Sequence, residues 1–416
     1  MKALMATVIA LILCSNLAIM GGMENNIAMV QPEKGQIVKK VDERLTAAIS
    51  KFAFKLYDQV LRKSTSENVF ISPASVLLAL AMTYNGSEGE TRRAMADALE
   101  LESMSLEEAN RAAADLKSAL DTADPKVQLK IANSLWARNG FPLKPAFIQR
   151  SKDYYAAEVT NLDFSSPQAP ATINSWVNKN TEGKIERVVD RIDAETILFL
   201  INAIYFKGQW QVSFDKEKTK DDVFRFGDGR QKKLPMMFQS RRYLYHRGKD
   251  FQAVALPYGA GRMSMYVFLP DERTTLDQFG RNLSAENWET WMKSFRMTPG
   301  DLTLPRFKVE YEADLNETLK ALGMVEAFDP LRANFSGLAE PSQGNRFYIS
   351  KVTHKALAEV NEEGTVAAAV TSVAVTLASV QPQENFIMKV DRPFFFAIRD
   401  NTTGVLLFMG SVSNPG

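Results

Sequence analysis

The 416-residue chain is 45% hydrophobic and 24% charged, with a formal net charge of +1. That balance suits a globular protein and gives no global electrostatic case for nucleic acid or an anionic membrane. A single cysteine, Cys14, excludes a disulfide framework and a cysteine-based zinc site.

The first residues have the form of a targeting segment. Lys2 supplies a positive start, and residues 3–13 form an apolar core of signal-peptide length. Residues 1–22 are therefore expected to be a signal peptide, and the mature protein to be secreted or extracytoplasmic. Lipid anchoring through Cys14 is the lesser alternative, because Leu13 before it is bulky. Residues 23–43 are rich in Gly, Asn, Gln and Lys and predict a flexible lead-in.

From residue 44 the patterning is regular. Ile49, Phe52, Leu56 and Val60 fall at helical spacing and predict an amphipathic helix over 44–62. A short strand over 68–71 leads to Ser72, an N-cap candidate, and to Pro73 at the first helical position, where its missing N–H costs nothing. The helix they open, 74–84, is apolar all round and should be deeply buried. Another helix covers 90–99. Ser105 and Glu108 form a capping box for a helix reaching Leu120. Alternation at Val127, Leu129 and Ile131 predicts a strand running to Trp136. A helix over 146–156, a strand over 159–164 and a helix over 173–181 follow. Residues 196–206 are a near-continuous apolar run and predict a central buried strand. Beyond Val223 the pattern is mostly strand, at 251–256, 263–269 and 302–310, with a helix at 315–322. Two apolar runs, 393–399 and 405–410, close the chain as a buried hairpin. Helices dominate the first half and strands the second, without a linker after residue 44. This predicts one large α+β domain.

An enzyme reading fails on inventory. There are two histidines, His246 and His354, and no Gly-x-Ser-x-Gly elbow. Gly259-Ala260-Gly261 lacks the third glycine of a dinucleotide loop. No metal site or cofactor is indicated. A lone histidine such as His354 is most often a satisfied structural residue. The basic run over 229–249 (Arg230, Lys232, Lys233, Arg241, Arg242, Arg247, Lys249) reads as a solvated strand face before a polyanion site.

One stretch breaks the pattern. Residues 364–383 carry no charge and consist mainly of Ala, Val, Thr and Ser. β-Branched residues make a poor helix and a good strand. Both alternating faces suit a strand buried on both sides, and the fourteen residues 365–378 would span roughly 46 Å. A transmembrane helix needs about 20 predominantly apolar residues, and this run has too much Thr and Ser. A linker is usually Gly, Pro or charge rich. The stretch is thus composed for the middle of a sheet, yet Pro382, Gln383, Glu384 and Asn385 flank it like an exposed loop.

Glu362-Glu363-Gly364-Thr365 followed by Val366, Ala367, Ala368 and Ala369 resembles the hinge of the reactive-centre loop of the serpins. The resemblance runs from about residue 44 to 415. It rests also on Phe70-Ile-Ser72-Pro73-Ala-Ser75, Asn133-Ser-Leu-Trp136, Ile173-Asn-Ser-Trp-Val177 and Thr181-Glu-Gly-Lys184. It continues through Leu200-Ile-Asn202 to Lys207-Gly208-Gln-Trp210, Leu234-Pro-Met-Met237, Leu304-Pro-Arg-Phe-Lys-Val-Glu310 and His354-Lys355-Ala356, and ends in Asp391-Arg-Pro-Phe394 and Phe408-Met-Gly410. Each motif is weak alone; their order and spacing are specific.

The resemblance implies a serpin-like single large domain over 44–416. It would have a large, mostly antiparallel β-sheet, further sheets and an exposed reactive-centre loop over about 362–385. It implies a monomeric inhibitor of serine proteases, with cysteine proteases as the lesser target class, and not an enzyme: a protease is trapped as an acyl-enzyme when the cut loop inserts into the main sheet. Counting fourteen residues on from Gly364 places the reactive bond between Ala378 and Ser379, with Val375, Thr376 and Leu377 as loop subsites. Ala378 suits an elastase-like or subtilisin-like target, since a trypsin-like one needs Arg or Lys. Gly364 would relax backbone limits during the swing. Thr365 would be the first side chain to enter the sheet, so a charge there should block insertion. His354, Asn202, Ser72 and Ser75 match the polar cluster beneath the centre of the sheet, and Trp210 the aromatic residue at its top. The alternative is a non-inhibitory serpin acting as a binding or carrier protein. Glycosaminoglycan activation is not supported, and glycosylation sequons begin at Asn85, Asn282, Asn316, Asn334 and Asn401.

Overall fold

The structure is a computed structural model that describes residues 41–63, 68–121, 124–193, 195–339, 347–365 and 385–416. The expected signal peptide, most of the lead-in, Val366, Ala367, Ala368, Ala369, Val375, Thr376, Leu377, Ala378 and Ser379 lie outside the described residues. The helices are α1 (Glu43–Lys63), α2 (Pro73–Tyr84), α3 (Gly89–Ala98), α4 (Leu106–Asp121), α5 (Pro145–Tyr155), α6 (Ala169–Asn180), α7 (Leu276–Gly280), α8 (Ala285–Ser294) and α9 (Asn316–Ala321). The strands are β1 (Val69–Ile71), β2 (Val127–Arg138), β3 (Glu158–Leu162), β4 (Leu198–Gln209), β5 (Lys220–Arg225), β6 (Gln231–Arg247), β7 (Phe251–Pro257) and β8 (Met263–Pro270). They continue with β9 (Arg296–Pro305), β10 (Phe307–Asp314), β11 (Ile349–Asn361), β12 (Gly364–Thr365), β13 (Phe386–Lys389), β14 (Phe394–Asp400) and β15 (Leu406–Val412).

Two sheets organise these strands. One runs β1-β15-β14-β8-β7-β6-β9-β13, with β5 paired to β6; the other runs β10-β11-β12-β4-β2-β3. The apolar composition of α2 finds its reason between them. All twelve of its residues are buried, and it packs against β15 of the first sheet and β2 and β4 of the second. The outer face of the second sheet is covered by Ile173 and Val177 of α6 and by Ile185, Val188 and Val189 after it, over Trp136, Phe199, Ile201 and Ala203. Burial on both faces explains why the segment holding β4 reads as an unbroken apolar run.

Two expectations are corrected. Ser72 does occupy the N-cap of α2, but its hydroxyl makes no cap bond; it donates to the Leu407 carbonyl of β15 at 2.6 Å. The single strand expected over 302–310 is two strands in different sheets. β9 ends at Pro305 and β10 starts at Phe307, with Arg306 at the crossing. A proline cannot donate to a sheet ladder, and periodicity alone does not reveal a change of partner across it. The Ser105–Glu108 capping box forms as expected, with reciprocal bonds of 2.8 and 3.3 Å.

Candidate functional site

The site is the seam between β4 and β11. The two strands pair directly and in parallel from Leu198 opposite Ile349 to Tyr205 opposite Leu357. Higher up, β12 lies between them, antiparallel to both. Thr365 sits opposite Val360 on one side and Gly208 on the other; Gly364 sits opposite Asn361 and Gln209. The chain thus turns back from the end of β11 and enters its own sheet for two residues. Residues 362–385 were expected to be exposed loop. Their start is not: Glu362, Gly364 and Thr365 are buried.

Only glycine fits at 364. Its φ is +149°, and a Cβ there would fall 2.0 Å from the Gly208 carbonyl oxygen. Gly208 has its own reason, because a Cβ on it would meet the Tyr258 ring at 2.7 Å. The Thr365 hydroxyl lies 2.8 Å from the Tyr258 hydroxyl. Tyr258 is wholly buried, and burial pushes its pKa upward against that hydrogen bond. Trp210 stacks on Tyr258 with centroids 4.5 Å apart. It donates its indole N–H to the Asn361 carbonyl at 2.9 Å and its backbone N–H to the Glu363 carbonyl at 2.9 Å. The predicted aromatic at the top of the sheet is therefore bonded to the hinge turn itself.

Both hinge carboxylates are held. Glu362 accepts from Arg306 Nε and Nη2 at 2.6–2.9 Å and from the Thr219 hydroxyl at 2.6 Å. Burial works to raise its pKa; the bonds from Arg306 and Thr219 outweigh it and hold the carboxyl below its ordinary value. Glu363 pairs with Lys216 at 2.6 Å. The N–H groups of Glu363 and Gly364 both donate to Asn361 Oδ1, at 3.0 and 3.2 Å. Asn361 thereby satisfies two donors of the turn with one side chain.

Lower in the seam, the structure brings Ser72, Ser75, Asn202 and His354 together. The Ser72 backbone N–H donates to His354 Nε2 at 3.2 Å. That bond fixes the tautomer, so Nδ1–H donates to Asn202 Oδ1 at 2.6 Å. The Asn202 amide in turn donates to the Ser75 hydroxyl and to Asn133 Oδ1. His354 has no exposed surface; burial lowers its pKa to about 3, so the ring is neutral. His354, Asn202 and Asn133 are also register partners across β11, β4 and β2. They form one polar row across three strands.

Sequence reasoning did not assign Asn133, Arg306, Thr219 or Tyr258 to the site. Asn133 and Arg306 stand inside quoted motifs, but only register shows that Asn133 faces Asn202. Tyr258 and Thr219 carried no signal. Asn85, the first sequon, is buried and donates to Asn110 at 2.7 Å.

A hinge inserted at the head of a sheet, above a buried polar row, matches the family suggested by the motifs. A family model described as Serpin (serine protease inhibitor) covers residues 47–415. The chain is a serpin. Among curated relatives, leukocyte elastase inhibitor of Sus scrofa is 36% identical over 385 residues, covering 90% of this chain and all of the relative. Human neuroserpin is 35% identical over 381 residues, covering 88% of this serpin and 91% of the relative. Among solved structures, native tengpin, a thermophilic serpin, has a TM-score of 0.84 at 34% identity and covers 90% of this chain and 95% of its own. Human thyroxine-binding globulin with bound thyroxine gives 0.82 at 28% identity, covering 90% and 99%.

Proposed function

We propose that this serpin is an inhibitory member that traps serine proteases by inserting its cut loop between β4 and β11. The observation that carries this reading is the position of the hinge. Gly364 and Thr365 already occupy strand positions in the seam, and the residues that would follow are small and neutral. In the trap the protease serine attacks the carbonyl of Ala378, the bond to the Ser379 nitrogen breaks, and an ester acyl-enzyme forms. Residues 365–378 then extend β12 as a full strand and carry the protease with them. An uncut loop leaves the sheet unfilled, so the native state is held kinetically. The closed part of the seam begins at Tyr205 opposite Leu357 and must part from there to the His354–Asn202 pair.

Ala378, with Leu377, Thr376 and Val375 before it, fits a small apolar specificity pocket. The relatives named leukocyte elastase inhibitor support an elastase-like target, with a subtilisin-like one next. The covalent complex would form one to one with a monomer. Residues 1–22 support a secreted or extracytoplasmic protein. The test is incubation with elastase and with subtilisin, read on a denaturing gel. A covalent band at the summed mass is expected. Clean cleavage without that band would move the protein to the carrier reading.

A further inference from the structure

The exposed apolar residues are unevenly placed. Among the described residues, six large hydrophobic side chains are exposed: Val212, Leu244, Met297, Val325, Leu331 and Ile387. Three of these share one sheet face. Leu244 of β6 and Met297 of β9 are direct register partners, with 39% and 49% of their surface exposed. The register runs on without interruption to Ser240 opposite Asp301, and Asp301 is the partner of Ile387 in β13, which is 73% exposed. Residues opposite one another project to the same side. Arg242, Pro299, Ser240 and Asp301 lie on the same face, in the two rows between the Leu244–Met297 pair and Ile387. The opposite side of these strands is filled: the Phe386 ring lies over Gly300 and stacks on Tyr245 at 4.1 Å. The strands are thus anchored from within, and their outer face alternates apolar spots, Leu244–Met297 and Ile387, with polar residues between them, the mixed surface of a non-obligate interface. Strand β13 is also the end of its sheet.

The chain itself says what comes to this face. Phe386, the first residue of β13, stands seven residues beyond Ser379, so the reactive bond can lie no more than about 25 Å from it. A protease of about 240 residues has a radius of gyration of about 18 Å and extends past that reach. We propose that the face formed by Leu244, Met297 and Ile387 is a docking surface for the rim of the target protease, outside its specificity pocket. It would set the rate of capture while leaving the trap itself unchanged. This rests on the inhibitory reading for the identity of the partner.

The test uses the full-length protein and an elastase whose catalytic serine is replaced by alanine, so that binding is read without trapping. Wild type is compared with Met297→Glu and with the combined Leu244→Glu, Met297→Glu and Ile387→Glu variant, each checked by thermal melting. The dissociation constant is expected to rise several-fold for the single variant and at least tenfold for the combined one. With active elastase, the second-order rate should fall in parallel while the number of inhibitors consumed per protease stays constant. Unchanged binding in both variants overturns the proposal, as does silent elastase that fails to bind wild type. Sedimentation of wild type as a dimer that the combined variant abolishes would also overturn it, in favour of a second copy of this chain. The two readings fail separately: a lost covalent band on the gel condemns the trap, whereas the difference in silent-elastase affinity between wild type and the variants reports on the face.

Discussion

The seam between β4 and β11 is closed in two different ways along its length. At its head, Gly364 and Thr365 are inserted, and the turn before them is tied by charge: Glu362 to Arg306, Glu363 to Lys216. Arg306 and Lys216 both keep contact with solvent. In its middle, no strand is inserted and no charge is used. His354, Asn202 and Asn133 bridge three strands as neutral groups with almost no exposure. The difference is physical. The Lys216–Glu363 pair at the solvent edge exchanges partners at small cost, so the head can admit more chain while Arg306 keeps hold of buried Glu362. A buried neutral network costs the full desolvation of each orphaned group when it parts, so the middle stays closed until an entering strand replaces what is lost.

That contrast can be broken by substitution. The largest effect is expected at the head, from Thr365→Arg. The side chain it replaces is wholly buried against Tyr258, and a guanidinium cannot be accommodated there unpaired. The variant should become a substrate, giving cleaved protein and no covalent complex with elastase. A retained complex would show that insertion does not begin at this residue.

In the middle, His354→Ala leaves the Ser72 N–H and Asn202 Oδ1 without partners and opens a cavity. A loss of about 2–4 kcal/mol in unfolding free energy is expected, read by denaturant melts. Arg306→Ala should cost less, about 1–2 kcal/mol, since half-exposed Arg306 lets water reach the vacated pair. Adding Glu362→Gln should restore part of it, and a strictly additive double variant would deny the coupling.

The two regions separate in pH dependence as well. Burial depresses His354 to about 3, below its ordinary value near 6.5. Between those values the unfolded chain binds a proton that the native one refuses, so stability rises with pH by up to about 1.4 kcal/mol per unit and levels off above 6.5. Glu362 is depressed from 4.5. Its contribution is full above that value and is lost as pH falls below it. His354→Gln should flatten the melting profile from pH 6.5 downward, leaving below pH 4.5 only the carboxylate part, whereas Glu362→Gln should change only the limb below 4.5.

Much of the fold was legible in the chain because one-dimensional patterns record burial. The all-apolar run of α2, the two-sided apolar run of β4 and the closing hairpin β14–β15 all stand where they were expected. The strand change at Arg306 was not read, although the apolar positions shift phase there, from Leu302 and Leu304 to Phe307 and Val309; the slip marks a break but does not say that the second half joins another sheet. The site divides similarly. Ser72, Ser75, Asn202 and His354 were named from motif resemblance and do converge. Asn133 and Arg306 stood in the same motifs without a role, since what they touch lies 69 and 56 residues away.

The chain alone determined that residues 364–383 are neutral, small and β-prone, because composition is a local property and fixes which environments a segment tolerates. It also determined that a glycine stands at 364. Only the tertiary structure decided that this glycine lies against Gly208, that Thr365 is already inside the sheet, and that Glu362 is held by Arg306. Those facts depend on register between β4, β11 and β12. Register is set by long-range pairing, on which no short window of residues has any information.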